Sequence, residues 1–105
     1  IIESGASGEA WIPVTSQMSG KKARLVATFQ ADTADGYLSV WELKSDRTVA
    51  KITDSEVTCA YSGSGCDRVA SSWFTIPSTA YSLALYGRVT GGTLYVFGAT
   101  IEVKL

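Results

Sequence analysis

Apolar residues along this chain recur at every second position in short runs broken by turn residues, and no stretch keeps a helical period. The clearest run is residues 23–30, which puts Ala23, Leu25, Ala27 and Phe29 on one face and Arg24, Val26, Thr28 and Gln30 on the other. Before it, Trp11-Ile12-Pro13-Val14 reads as a short strand, with Pro13 suited to a sheet edge because it has no N–H to give a ladder. After it, Asp32-Thr33-Ala34-Asp35-Gly36 supplies a turn into a strand over residues 37–44, and Ser45-Asp46-Arg47 turns the chain again. Residues 48–52 and 56–60 predict two short strands, and residues 68–76 one longer strand ended by Pro77-Ser78-Thr79. Residues 80–89 alternate with Tyr81, Leu83, Leu85 and Val89 together, and Gly91-Gly92 signals a hairpin into a last strand over residues 94–103. About eight strands at roughly 8–12-residue spacing predict an all-β fold: a two-sheet antiparallel β-sandwich of jelly-roll type.

Composition bounds what such a fold can do. A chain of 105 residues fits one domain, and with 46% apolar and 18% charged residues it can bury a core rather than stay disordered. Residues 1–105 are therefore expected to form a single domain, with residues 1–10, which carry Gly5 and Gly8, as an N-terminal arm. That the sequence starts at Ile1 suggests a processed product or an excised domain. There is no histidine, which removes the Ser-His-Asp and Cys-His nucleophile pairs, the imidazole general base and histidine-ligated zinc. The ten acidic residues show no spacing that singles out a glycosidase pair, so no enzymatic activity is expected. A net charge of −1, with nine basic side chains spread along the chain, lacks the footprint of a nucleic-acid binder. No apolar run approaches the ~18 residues of a membrane span. Asparagine is absent, so no N-x-S/T glycosylation acceptor exists, and its depletion is a thermophile trait.

The two cysteines, Cys59 and Cys66, bracket a Gly/Ser-rich stretch that can curl until the sulfurs meet. A disulfide-closed loop is expected, two free thiols being the alternative; so short a ring contributes ~2.5 kcal/mol in chain-entropy terms. A bridge points to an extracellular, periplasmic or virion-surface protein, or to a hyperthermophile.

From Lys22 onward the features follow a recognisable order. Gly36-Tyr37-Leu38-Ser39-Val40-Trp41-Glu42-Leu43 is followed by a valine strand, by Val69-Ala70-Ser71-Ser72-Trp73-Phe74-Thr75-Ile76-Pro77, and by Tyr81-Ser82-Leu83-Ala84-Leu85-Tyr86-Gly87-Arg88-Val89 with its Gly-Gly-Thr hairpin. This order resembles the small jelly-roll modules of phage and other virion surface proteins. It is also similar in rhythm to galactose-binding-like carbohydrate-binding modules. The resemblance implies non-enzymatic work: decorating a capsid, building a fibre or filament, or gripping a sugar.

Three groups of residues are candidates for that work. If Leu38, Val40, Leu83 and Leu85 point inward, period-2 alternation sends Tyr37, Ser39, Trp41, Ala84, Tyr86 and Arg88 outward. Trp41, Tyr86 and Tyr95 can then form a platform for the apolar face of a sugar, with Arg88, Glu42 or Gln30 as polar partners; packing in the core or against a neighbouring subunit is the alternative. In the arm, Ile1 and Ile2 at one end and Trp11 and Ile12 at the other flank a polar stretch that can add as a strand to a neighbour's sheet, a frayed terminus being the alternative. Asp32 and Asp35 offer two carboxylates toward calcium, though calcium needs six to eight oxygens, and an ordinary turn is the simpler reading; Asp54 and Glu56 make the same case more weakly. The function expected first is structural: a virion-surface or extracellular filament protein without cofactor, whose partners are copies of itself or other virion or filament proteins. A carbohydrate-binding module partnered by a polysaccharide is the alternative.

Overall fold

The computed structural model describes the backbone of residues 2–3 and 7–104 and the side chains of residues 12–104. Among them the chain is all β: β1 (Ile2–Glu3), β2 (Ser7–Pro13), β3 (Lys22–Ala31), β4 (Gly36–Lys44), β5 (Val49–Lys51), β6 (Val57–Cys59), β7 (Cys66–Ala70), β8 (Phe74–Thr75), β9 (Ala80–Val89) and β10 (Thr93–Val103). These pair into two antiparallel sheets that form a β-sandwich. Sheet one runs β1-β10-β3-β7, with β8 also on β3; sheet two runs β2-β9-β4-β5, with β6 also on β4.

The core follows from the alternation. On β3, Ala23, Leu25, Ala27, Phe29 and Ala31 are all buried, while the residues between them are half-buried on the outer face. Leu38 and Val40 of β4, Leu83 and Val89 of β9 and Leu94 of β10 close onto them from both sheets, with Ile52, Val57, Phe74 and Ile76 completing the cluster. Burying such side chains is the main favourable term in folding a small sandwich. Tyr81 departs from the expected inward face: at 68% exposed it sits at the start of β9, past the end of the core.

The strand expected over residues 68–76 is instead two, β7 and β8, both on β3. The gap is filled by a buried serine. Ser71 gives its N–H to the Leu25 carbonyl (2.8 Å), and its Oγ accepts the Leu25 N–H (2.9 Å). Sheet two repeats the device between β5 and β6. There the Ser55 Oγ accepts the Val40 N–H (3.0 Å) and donates toward the carbonyls of Ile52 (2.7 Å) and Val40 (3.0 Å). Each hydroxyl satisfies a central-strand amide that a continuous neighbour would have paired.

A bulge in β7 has its own local partner. Three steps from Cys66 to Val69 face two from Phe29 to Ala27, and Arg68 takes φ 52. The Thr28 hydroxyl opposite accepts the Arg68 N–H (3.1 Å) and donates to Asp67 Oδ1 (2.9 Å). In the β4–β5 turn, Asp46 accepts the Thr48 hydroxyl (2.6 Å) and N–H (3.0 Å), which holds its carboxyl below the usual carboxylate range.

Cys59 and Cys66 are disulfide-bonded, with Cα atoms 5.8 Å apart. Since Cys59 ends β6 in sheet two and Cys66 begins β7 in sheet one, the bond staples the two sheets at a crossover. Such a bridge is compatible with an extracellular setting. Among the described residues no helix is long and apolar enough to cross a membrane.

The segment expected as a free arm is paired within its own chain. Ile2 and Glu3 face Leu94 and Thr93 of β10, and β2 runs against β9 from Ser7↔Arg88 to Pro13↔Ser82. Of the arm residues, Ile1 and the side chains of Ile2 and Trp11 lie outside the described residues; Ile12 is 41% exposed.

Candidate functional site

The outer face of sheet two gathers most of the expected platform. On β4 the outward positions are Tyr37, Ser39 and Trp41, and on β9 they are Ala84, Tyr86 and Arg88. Register places Tyr37 opposite Arg88, Ser39 opposite Tyr86 and Trp41 opposite Ala84. The diagonal pair Trp41 and Tyr86 is thereby in contact, with ring centroids 5.4 Å apart and planes at 47°. Trp41 donates its indole N–H to the Ser39 hydroxyl (3.0 Å), which fixes the ring along its own strand. Ala84 is 1% exposed despite its outward parity.

Charged groups complete the rim. The Arg88 guanidinium carbon lies 4.2 Å from the Tyr37 ring centroid, a cation–π contact between directly opposed residues. Lys51, opposite Trp41 on β5, pairs with Glu56 at 2.8 Å. Tyr37, Ser39, Trp41, Lys51, Glu56, Tyr86 and Arg88 together line a shallow concavity of about 90 Å³. Parity on the two long strands was enough to place Trp41, Tyr86 and Arg88. Lys51 and Glu56 come from the β5–β6 segment, and no sequence spacing ties them to β4.

Other expected members lie elsewhere. Tyr95 is on β10 in sheet one, opposite Gln30, and stacks with Phe97 at 6.5 Å and 11°. Gln30 donates to the Gly63 carbonyl (3.1 Å) in the disulfide loop. Glu42 shares the inward parity of Leu38 and Val40; it is buried, accepts the Thr79 hydroxyl (3.0 Å) and lies 3.7 Å from Lys44 Nζ. These three residues are therefore not part of the platform.

Asp32 and Asp35 serve the loops around them. Asp32 Oδ1 accepts the Thr93 N–H (2.7 Å) and the Thr33 hydroxyl (3.0 Å), and Asp35 Oδ1 accepts the Tyr61 N–H (3.0 Å). No group of three or more metal-ligating side chains occurs among the described residues.

A larger cleft of about 390 Å³ opens at the Trp73 end of the sandwich, lined also by Lys22, Glu42, Lys51 and Asp54. Its large aromatic is already engaged: Lys104 Nζ lies 4.1 Å and the Arg24 guanidinium 4.7 Å from the Trp73 ring centroid. The concavity on sheet two is lined by three aromatic rings, Tyr37, Trp41 and Tyr86, and the cleft by two, Trp73 and the buried Phe74.

No family model matches the chain, and neither curated proteins nor solved structures give a match.

Proposed function

We propose that this protein is a non-enzymatic, extracellular β-sandwich binding module whose outer face on sheet two holds a carbohydrate. The observation that carries this reading is the Trp41–Tyr86 pair beside the Arg88–Tyr37 pair on one face of two adjacent strands. Aromatic rings fixed on adjacent strands, here half-buried and tilted 47° to each other, present apolar faces of the kind a pyranose ring covers. The surrounding Ser39, Lys51, Glu56 and Arg88 supply hydrogen-bonding groups that set orientation. The nested strand order, in which β1, β2, β3 and β4 alternate between sheets and β10 returns beside β1, supports a jelly roll. The disulfide supports the extracellular assignment. Affinity electrophoresis through gels containing individual polysaccharides tests the reading. The native protein is retarded by at least one, and Trp41→Ala removes the retardation while unfolding normally; equal retardation of the two proteins excludes this face.

The second reading is a structural one, in which the domain assembles with copies of itself or with other virion or filament proteins. Its support is the exposed apolar surface at Phe97 (68%), stacked on Tyr95 at the bulge of β10. Assembly by strand addition has less support, because the edges are blunted. Edge strands β1, β5, β6 and β8 have only two or three residues, β2 ends at Pro13, β5 carries Lys51 and β7 is bulged.

A further inference from the structure

We infer that copies of this chain associate head to tail, the acidic loop end of one docking on the basic, Trp73 end of the next. This inference rests on the structural reading above and names its partner and surfaces; it needs no bound sugar. Strand direction divides the charges. β3 and β9 run toward an end where the loops over residues 32–35 and 90–92 meet the disulfide loop. β4 and β10 run back to the opposite end, where Lys44 faces Ala80 and Lys104 gives its N–H to the Lys22 carbonyl. By register the loop-end half carries Glu3, Glu9, Asp32, Asp35 and Asp67 against Arg68 and Arg88. The side chains of residues 1–11 lie outside the described ones, but they include no lysine or arginine and so add no cation to this half. The other half carries Lys21, Lys22, Arg24, Lys44, Arg47 and Lys104. Of its acids, Glu102 pairs with Arg24 and Glu42 with Lys44, which leaves Asp46 and Asp54 against the other four cations. Lys51 and Glu56 pair near the middle and cancel. The excess is therefore negative at one end and positive at the other, and a charged chain terminus, worth one unit, reverses neither.

Shape supports the same pairing. At the acidic end Tyr61 is 57% exposed, and its N–H is held by Asp35 Oδ1 at 3.0 Å, so a large aromatic is anchored beside a carboxylate. At the basic end the cleft of about 390 Å³ is walled by Trp73 and Pro77 and bordered by Lys22. A tyrosine entering a cleft rimmed by opposite charge has the composition of an interface centre, and the complementary ends steer the encounter. Because the two surfaces differ, the contact is heterologous and leaves a free end on each copy, so it builds chains or rings rather than closed two-fold dimers.

The test is sedimentation of the native protein over a range of concentrations, at low salt and at ~1 M salt, where the Debye length falls to ~3 Å. Native protein is expected to form oligomers at low salt that dissociate at high salt. Lys22→Glu with Lys104→Glu, and separately Tyr61→Ala, are each expected to weaken self-association by about tenfold or more. Asp32→Asn with Asp35→Asn, which keeps both Oδ1 acceptors while removing two charges, is expected to weaken it in the same direction. The lysine-reversed variant retains an intact acidic end, so adding it to native protein is expected to cap growing chains and lower their mass. Oligomers that persist at high salt and in all the variants overturn the head-to-tail contact while leaving assembly through Phe97 intact. A variant that fails to cap native chains overturns it too, by showing that like ends meet. A monomer under every condition overturns both the contact and the structural reading. Matching thermal unfolding of the variants and native protein secures the comparison.

Discussion

Trp41 and Tyr86 hold their rings 5.4 Å apart because Ser39 is registered opposite Tyr86, so that Trp41, two residues along β4, meets Tyr86 diagonally. The same ladder sets Arg88 against Tyr37, so the candidate site is a direct product of β-sheet register. A one-residue slip of β9 against β4 would send Tyr86 and Arg88 to the face opposite Trp41 and Tyr37 and destroy it. The inward anchors Leu38, Val40, Leu83 and Val89, all buried, prevent that slip.

Register should also hold through the two bridging serines. Ser55→Ala removes the acceptor of the Val40 N–H in a fully buried position, which should cost ~1–3 kcal/mol. Ser71→Ala, which orphans the Leu25 N–H, should fall in the same range. Chemical denaturation of each single variant checks this; a change under half a kcal/mol, the size of an ordinary surface substitution, would show that water replaces the hydroxyl.

Replacing Cys59 and Cys66 together by alanine should lower stability by ~2.5 kcal/mol, because the closed ring no longer restricts the unfolded chain. For a domain of this size that corresponds to a Tm lower by roughly 10–20 °C. Unfolding of native protein with and without reductant gives the same comparison without mutation, and coincident curves would contradict the prediction.

Two glycines of the disulfide loop should differ in their tolerance of alanine. Gly65 has φ 76, and a Cβ there would stand 2.8 Å from Gln30 Cβ and 2.9 Å from the Phe29 carbonyl oxygen, so Gly65→Ala should destabilise by at least ~1–2 kcal/mol. Gly63 has open space around it, and Gly63→Ala should stay within ~0.5 kcal/mol of native. Paired thermal melts separate the two.

Deleting residues 1–8 should act on the monomer. Ile2–Glu3 edges sheet one, and residues 7 and 8 extend β2 along β9, so the truncated chain loses ladder pairs in both sheets and should melt at lower temperature. Size exclusion with light scattering, over a range of concentrations, distinguishes this from strand donation. A fall in oligomer order on truncation would instead favour exchange of the arm between subunits.

Much of the sandwich was legible because a two-residue period on β3, β4 and β9 names the buried face directly. Ala23, Leu25, Ala27, Phe29, Leu38, Val40, Leu83 and Val89 follow from it. Parity also places Trp41, Tyr86 and Arg88 outward, and it already puts Glu42 inward with Val40. What parity does not contain is which sheet a strand joins. Tyr95 points outward as alternation predicts, but from the opposite sheet. Nor does it show where a strand breaks. Residues 68–76 keep a strand-like composition through Ser71, and only the hydrogen bonds of that serine to Leu25 reveal the interruption. The N-terminal segment reads as a loose arm because its glycines and serines carry little apolar signal, whereas its backbone finds partners on β10 and β9.

The most direct measurement of binding on sheet two is a heteronuclear NMR titration of the indole N–H groups with oligosaccharides of a retained polysaccharide. The Trp41 N–H, bonded to the Ser39 hydroxyl, reports the platform, and Trp73, engaged by Lys104 and Arg24, is the internal control. A saturable shift of the Trp41 resonance, with Trp73 unmoved, is the result expected. A shift at Trp73 alone, or none at Trp41 at saturating ligand, would contradict binding on this face.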